Sequence, residues 1–121
     1  MQKNKSHKSF EGETAFWTHD SEATKTPMNF STFVPKDGAD NALIWLSGLT
    51  CTEENFITKS GIQALLAETK TMVICPDTSP RHLGLPGEDE SYDFGSGASF
   101  YLNAQTPGYK ENYQMYDYIN E

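Results

Sequence analysis

The stretch Ala42-Leu43-Ile44-Trp45-Leu46-Ser47-Gly48-Leu49-Thr50-Cys51-Thr52-Glu53-Glu54-Asn55-Phe56 has residue types and spacing suited to acyl-transfer chemistry. An apolar run stops at glycine, and a polar approach to a helix follows. Backbone N–H groups released where such a strand ends can point at a developing negative charge in a site that excludes water. Gly48 and Leu49 are the natural donors. One donor of this kind stabilises a transition state by about 2.7 to 4 kcal/mol. Glycine also serves simply to end a strand, and taken alone these residues leave both readings open.

Other side chains carry less specific signals. Cys51 would need a neighbouring base to become a thiolate nucleophile, and no histidine is placed for that, so it is expected as a small packed thiol. Glu53 and Glu54 are expected to cap the helix that follows, favoured by its dipole. The cluster Glu88, Asp89, Glu90 and Asp93 lacks the oxygen spacing and turn glycine of a calcium loop and reads as a solvated loop. No metal site is expected. Tyr109, Tyr113, Tyr116 and Tyr118 are expected to cover one side of a sheet rather than to stack on bases.

The elements that must position these groups read as follows. Met1 to Ser9 is polar and aperiodic and is expected to be a flexible N-terminal arm, with the ordered unit running over 10–121. Thr14 to His19 and Met28 to Val34 are β-rich, bracketed by Pro27 and Pro35, and form an antiparallel pair. Asp37-Gly38 and Asp40-Asn41 turn the chain into Ala42 to Leu46, an apolar run expected to be covered on both faces. A helix near Gly61 to Lys70 puts Ile62, Leu65 and Leu66 on one face, and Thr71 to Cys75 makes a second buried strand. The result is an α/β fold: antiparallel strands followed by one βαβ unit. From Pro76 about thirty residues are rich in Gly, Pro, Ser and acid, a loop length that is usually functional or disordered. Tyr109 to Glu121 suggests a short amphipathic helix.

Composition narrows the classes of function. The chain has 121 residues, 36% of them hydrophobic and 12% aromatic, with a mean hydropathy of -0.62. That allows one domain with a small core. The formal net charge of -8 argues against nucleic acid and against anionic membrane surfaces as partners, since both need a positive field. No apolar run reaches the roughly 18 residues of a membrane span, and no apolar stretch follows the basic start, so a cytoplasmic protein is expected. Cys51 and Cys75 are then expected as free thiols.

Several segments in order resemble the S-formylglutathione hydrolases, the esterase D group of α/β-hydrolases. They are His19-Asp20-Ser21-Glu22 with Pro27-Met28-Asn29-Phe30, then Trp45 to Thr52 with Glu54-Asn55-Phe56, and Pro76-Asp77-Thr78-Ser79-Pro80-Arg81. Gly87 to Gly95, Gly97-Ala98-Ser99-Phe100-Tyr101 and Tyr113-Gln114-Met115-Tyr116-Asp117-Tyr118 follow. The likeness covers about Phe10 to Glu121, with Ser99 and His82 standing where that family usually shows glycine. It implies an oxyanion hole built from Leu49 and Gly48, with Cys51 on the wall of the active site. It also implies Arg81 in a loop at the ligand-binding edge of the sheet, facing either a substrate carboxylate or a surface acid. A small-molecule thioester or ester would be the substrate, and no cofactor would be needed.

The same resemblance makes an absence informative. Such enzymes carry their nucleophile on a Gly-x-Ser-x-Gly elbow, with the aspartate and histidine later in the chain. Nothing in these 121 residues fits. Ser99, the nearest approach, lacks the second glycine and a preceding apolar strand, and His7, His19 and His82 come too early. The expected fold is therefore a truncated α/β-hydrolase without the half that bears the nucleophile elbow, and no catalytic residue is assigned. Two functions follow. One is hydrolysis of S-formylglutathione to glutathione and formate, as in formaldehyde detoxification, or of short-acyl esters, by a serine this chain lacks. The other is a non-catalytic product or a subunit of a split assembly, which would self-associate or bind a complementing fragment through an open sheet edge at Ala42 to Leu46.

Overall fold

The structure, a computed structural model, describes all residues from Met1 to Glu121. Its elements run β1 (Gln2–Ser9), β2 (Gly12–Asp20), β3 (Pro27–Pro35), β4 (Asn41–Ile44), α1 (Asn55–Lys59), α2 (Gln63–Glu68), β5 (Thr71–Pro76) and α3 (Met115–Ile119). One five-stranded sheet has the order β1-β2-β3-β5-β4. The strands β1, β2, β3 and β5 pair antiparallel, and β4 pairs parallel with β5. This is the expected α/β arrangement, antiparallel strands joined to one strand-helix-strand crossover.

The first strand corrects the flexible arm expected over residues 1–9. Although every residue of β1 is exposed, its backbone groups are tied into the ladder with β2 from Gln2↔Thr18 to Ser9↔Gly12. Backbone pairing needs no apolar side chains, so the polar composition of the segment hid it.

The core lies between the sheet and the two crossover helices. Phe16, Phe33, Ile57, Leu66, Val73 and Cys75 form one buried cluster, with Phe56, Ile62 and Ala67 packed against it. The helix expected near Gly61 to Lys70 is α2, shorter than expected at Gln63–Glu68, and an additional short helix, α1, precedes it; the two are separated at Gly61, whose φ of +65° suits glycine. Leu66 is buried and Ile62 packs on the core, but Leu65, expected on the same face, is 56% exposed. A six-residue helix meets the sheet along too narrow a stripe to bury both leucines. A smaller cluster of Met28, Met115 and Tyr118 anchors α3 on the other face of the sheet.

The strand expected to be covered on both faces is not. All four residues of β4 are exposed, and Trp45 and Leu46 beyond it are 41% and 44% exposed. Only β5 flanks β4, so its other edge is open. No helix is long and apolar enough to cross a membrane.

Candidate functional site

The chain leaves β4 with the Trp45 N–H donating to the Ile74 carbonyl (2.9 Å) and the Trp45 indole stacked on Phe56. At Thr50 φ becomes +69°, in the left-handed region that a β-branched residue rarely occupies. Two contacts hold this conformation. The Thr50 N–H donates to the Gly97 carbonyl (2.9 Å), and the Cys51 N–H donates to the Gly48 carbonyl (3.2 Å). Just before the turn, the Tyr101 hydroxyl donates to the Ser47 carbonyl (2.6 Å). Residues 47 and 50 are therefore clamped from the 97–101 loop, and Gly48 and Leu49 are suspended between them.

The N–H groups of Gly48 and Leu49 donate to no acceptor in the chain. They border a cavity of about 190 Å³ lined also by Ser47, Thr78, Gly97, Ala98, Phe100 and Tyr101. Ser47 Oγ, buried at the same place, has no hydrogen-bond partner. Two adjacent free amides at the rim of a small cavity can donate to an anionic oxygen, as acyl transfer requires. Gly97 is needed for the clamp: its φ is +74°, and a Cβ there would stand 3.1 Å from Thr50 Cα.

Behind the amides lies an ion pair. Arg81 Nε and Nη2 bond the two oxygens of Asp77 at 2.8 and 2.9 Å, and Nη2 also reaches the Cys51 carbonyl (3.0 Å). Asp77 is buried and Arg81 half-buried. Burial works against the guanidinium's charge, but the bonds and charge of Asp77 prevail, so its affinity for the proton rises. The ion pair that Arg81 makes is internal rather than at the surface. The guanidinium staples the loop after β5 to the segment after β4. Cys51 is half-buried beside these residues, Cys75 is fully buried, and both are free thiols. Burial pushes the Cys75 thiol up to about 11.

Sequence reasoning misjudged several neighbours. Glu88, grouped with a solvated acidic loop, is 2% exposed. Its carboxylate accepts from the Leu83 and Gly84 N–H groups (3.0 and 3.2 Å) and from the Tyr113 hydroxyl (2.8 Å), organising the loop from inside. Tyr109 and Tyr113 consequently pack within that loop, Tyr118 alone covers the sheet beside Met28, and Tyr116 is exposed. Glu53 and Glu54 make no capping bond to α1. Side chains instead order the turn that leads into α1, where Asn55 Oδ1 accepts from the Thr52 N–H (2.7 Å) and Thr52 Oγ1 from the Glu54 N–H (3.1 Å). Burial, followed by the nearby Asp77 and Glu54 charges, raises the Glu53 carboxyl despite its own backbone bond. Ser99 Oγ donates to the Thr78 carbonyl (2.6 Å) and accepts from the Tyr101 N–H, a turn role with no histidine in contact. No group of three or more His, Cys, Asp or Glu is arranged to hold a metal ion.

Comparison with known proteins places this geometry in context. The family model described as "Putative esterase" matches residues 21–121. S-formylglutathione hydrolases of Mus musculus and Bos taurus are 48% and 45% identical over 119 residues, which is 96% of this chain and 42% of each relative. The chain therefore spans about two fifths of the length of the curated relatives it matches. The solved S-formylglutathione hydrolase of Agrobacterium tumefaciens superposes with a TM-score of 0.94 at 36% identity, over 100% of this chain and 45% of that one. An S-formylglutathione hydrolase of Staphylococcus aureus, 15% identical, shares the fold with a TM-score of 0.54 over 88% of this chain and 40% of its own.

Proposed function

This chain belongs to the esterase family whose model matches residues 21–121, and from that premise we propose that it supplies the oxyanion-stabilising part of a serine thioesterase acting on S-formylglutathione or a short-acyl ester. The observation that carries the reading is the pair of acceptor-free N–H groups at Gly48 and Leu49 beside a cavity. In the reaction a serine oxygen bonds to the acyl carbon, and the carbonyl oxygen, now negative, accepts from these amides. The carbon–sulfur bond then breaks, the sulfur takes the proton that the serine gave up through a base, and water releases the acyl group from the serine.

Serine, base and aspartate must come from outside these 121 residues, because no Gly-x-Ser-x-Gly elbow occurs here. The amides alone contribute little, since the members of such a site act as a unit. Purified chain is expected to hydrolyse a formyl or acetyl thioester no faster than buffer. A polypeptide corresponding to the remaining three fifths of an S-formylglutathione hydrolase, mixed in and shown by sizing to bind, is expected to restore turnover. Leu49→Pro, which deletes a donor N–H, should then lower kcat by about a hundredfold or more. Turnover by the chain alone would overturn the division of labour. A bound but fully active Leu49→Pro complex would overturn the oxyanion assignment.

A second reading rests on the open edge of β4, whose residues are uncharged and exposed. In it the chain is a non-catalytic subunit that pairs through this edge with a second copy or with a complementing polypeptide.

A further inference from the structure

Two neighbouring amides stabilise one oxygen only when both are directed at it, and side-chain packing does not direct those of Gly48 and Leu49. Gly48 has no side chain and open space where a Cβ would stand, and the Leu49 side chain is 38% exposed. Their direction comes from the backbone. In a trans peptide the N–H points opposite to the C=O of the same planar unit, and no peptide bond of the chain is cis. Each free N–H is therefore aimed by whatever holds the carbonyl of the residue before it.

The two carbonyls are held by different side chains. The Gly48 N–H shares its plane with the Ser47 carbonyl, which accepts the Tyr101 hydroxyl at 2.6 Å. The Leu49 N–H shares its plane with the Gly48 carbonyl, which accepts the Cys51 N–H at 3.2 Å. Cys51 is fixed in its turn. Its carbonyl accepts Arg81 Nη2 (3.0 Å) and the Thr78 hydroxyl, and the Thr52 N–H of the same peptide unit donates to Asn55 Oδ1 (2.7 Å). Arg81 is locked because Nε and Nη2 hold the two oxygens of Asp77, a carboxylate 3% exposed that also accepts the Thr78 N–H (2.6 Å). An ion pair taken out of water adds little net stability. What this one supplies is a guanidinium with a fixed direction.

We propose that Tyr101 and Arg81 are positioning residues that aim the two oxyanion amides separately. Tyr101 sets the Gly48 N–H through the Ser47 carbonyl, and Arg81 sets the Leu49 N–H through Cys51 and the Gly48 carbonyl. The Tyr101 hydroxyl and Arg81 Nη2 thus act through the backbone rather than on substrate. The task of the amides rests on the acyl-transfer reading, whereas their direction belongs to the chain itself and is measurable without turnover.

The test uses the intact chain, labelled with nitrogen-15 and weakly aligned, in which residual dipolar couplings report the direction of each N–H. Tyr101→Phe keeps the ring and loses the donor, and is expected to change the Gly48 coupling while Leu49 keeps its own. Arg81→Lys keeps a charge beside Asp77 but lacks the fork that also reaches Cys51, and is expected to change Leu49 and not Gly48. Thr78→Val removes the other donor to the Cys51 carbonyl without touching the ion pair, and should move the Leu49 coupling in the same sense. Couplings along β2 and β3 are expected to stay as they are, which separates aiming from loss of fold. In the complex that restores turnover, Tyr101→Phe and Arg81→Lys should each lower kcat by about tenfold or more at unchanged KM, alike for S-formylglutathione and p-nitrophenyl acetate. Gly48 and Leu49 couplings that do not change, or that respond alike to both variants, would overturn the proposal. So would an Arg81→Lys complex whose KM rises for S-formylglutathione alone, which would make Arg81 a substrate contact. A fully active Leu49→Pro complex would sink the oxyanion reading, and the catalytic half of the proposal with it, while the couplings still decide what aims the amides.

Discussion

Tyr101 joins the two halves of the candidate site. Its hydroxyl donates to the Ser47 carbonyl, its N–H donates to Ser99 Oγ, and its ring packs against the Met28, Met115 and Tyr118 cluster, all from a left-handed φ of +54°. Burial, and after it the charge of Asp77, pushes its phenol up to about 12. Tyr113 and Tyr118 are raised as well, chiefly by burial. A raised folded-state value means that the folded chain holds protons that the unfolded chain releases near the ordinary tyrosine value of about 10. The associated stability is intact below that value and is lost as pH rises through the folded value near 12 for Tyr101. Thermal melts across the alkaline range should show the melting temperature falling in this window. Tyr101→Phe should lower stability by about 1 kcal/mol at neutral pH and flatten the alkaline decline. A melting temperature that stays level through the window would exclude this coupling.

At the scale of elements, the crossover between β4 and β5 depends on packing more than on intrinsic helicity. Five- and six-residue helices are too short to hold themselves together in water. Ile57 and Leu66, both buried against Phe16, Phe33 and Val73, supply what holds α1 and α2 on the sheet. Gln63 Nε2 adds a tie across the break by donating to the Ile57 carbonyl (2.6 Å). Leu66→Ala should therefore cost about 2 to 4 kcal/mol in urea unfolding, through lost burial and a cavity. Leu65→Ala, one position away and 56% exposed, should cost about half a kcal/mol or less. Equal losses from the two would mean that α2 is turned differently on the sheet. The same crossover fixes the site, because β4 and β5 run parallel and deliver Gly48 and Asp77 to the same end of the sheet.

At the scale of the whole molecule, the two sheet edges are built differently. Lys3, Lys5 and Lys8 lie along β1, and the register shifts between Lys3 and Lys5, both common devices against edge-to-edge pairing. Asn41, Ala42, Leu43 and Ile44 carry no charge, and the apolar run continues through Trp45 and Leu46. Sedimentation of the chain over a range of concentrations should show association through the β4 edge. Ile44→Lys, at a position 52% exposed, should shift the population towards monomer with little loss of stability. Unchanged association in that variant would direct attention to another surface.

The amino-acid sequence by itself determined the signals that are local. Gly48 ending an apolar run, Pro27 and Pro35 bounding a strand, and the order of segments resembling a hydrolase all depend on neighbours a few residues away. Tertiary structure alone decided what depends on distant partners. Arg81 meets the Cys51 carbonyl across 30 positions, Glu88 meets Tyr113 across 25, and Tyr101 meets Ser47 across 54. No periodicity signals such pairs, because a buried carboxylate and a solvated one are written with the same letter. Strand β1 was hidden for a related reason: its ladder is made by backbone groups that every residue carries. The exposure of β4 was set by what flanks it, since burial belongs to the assembled sheet and not to the strand.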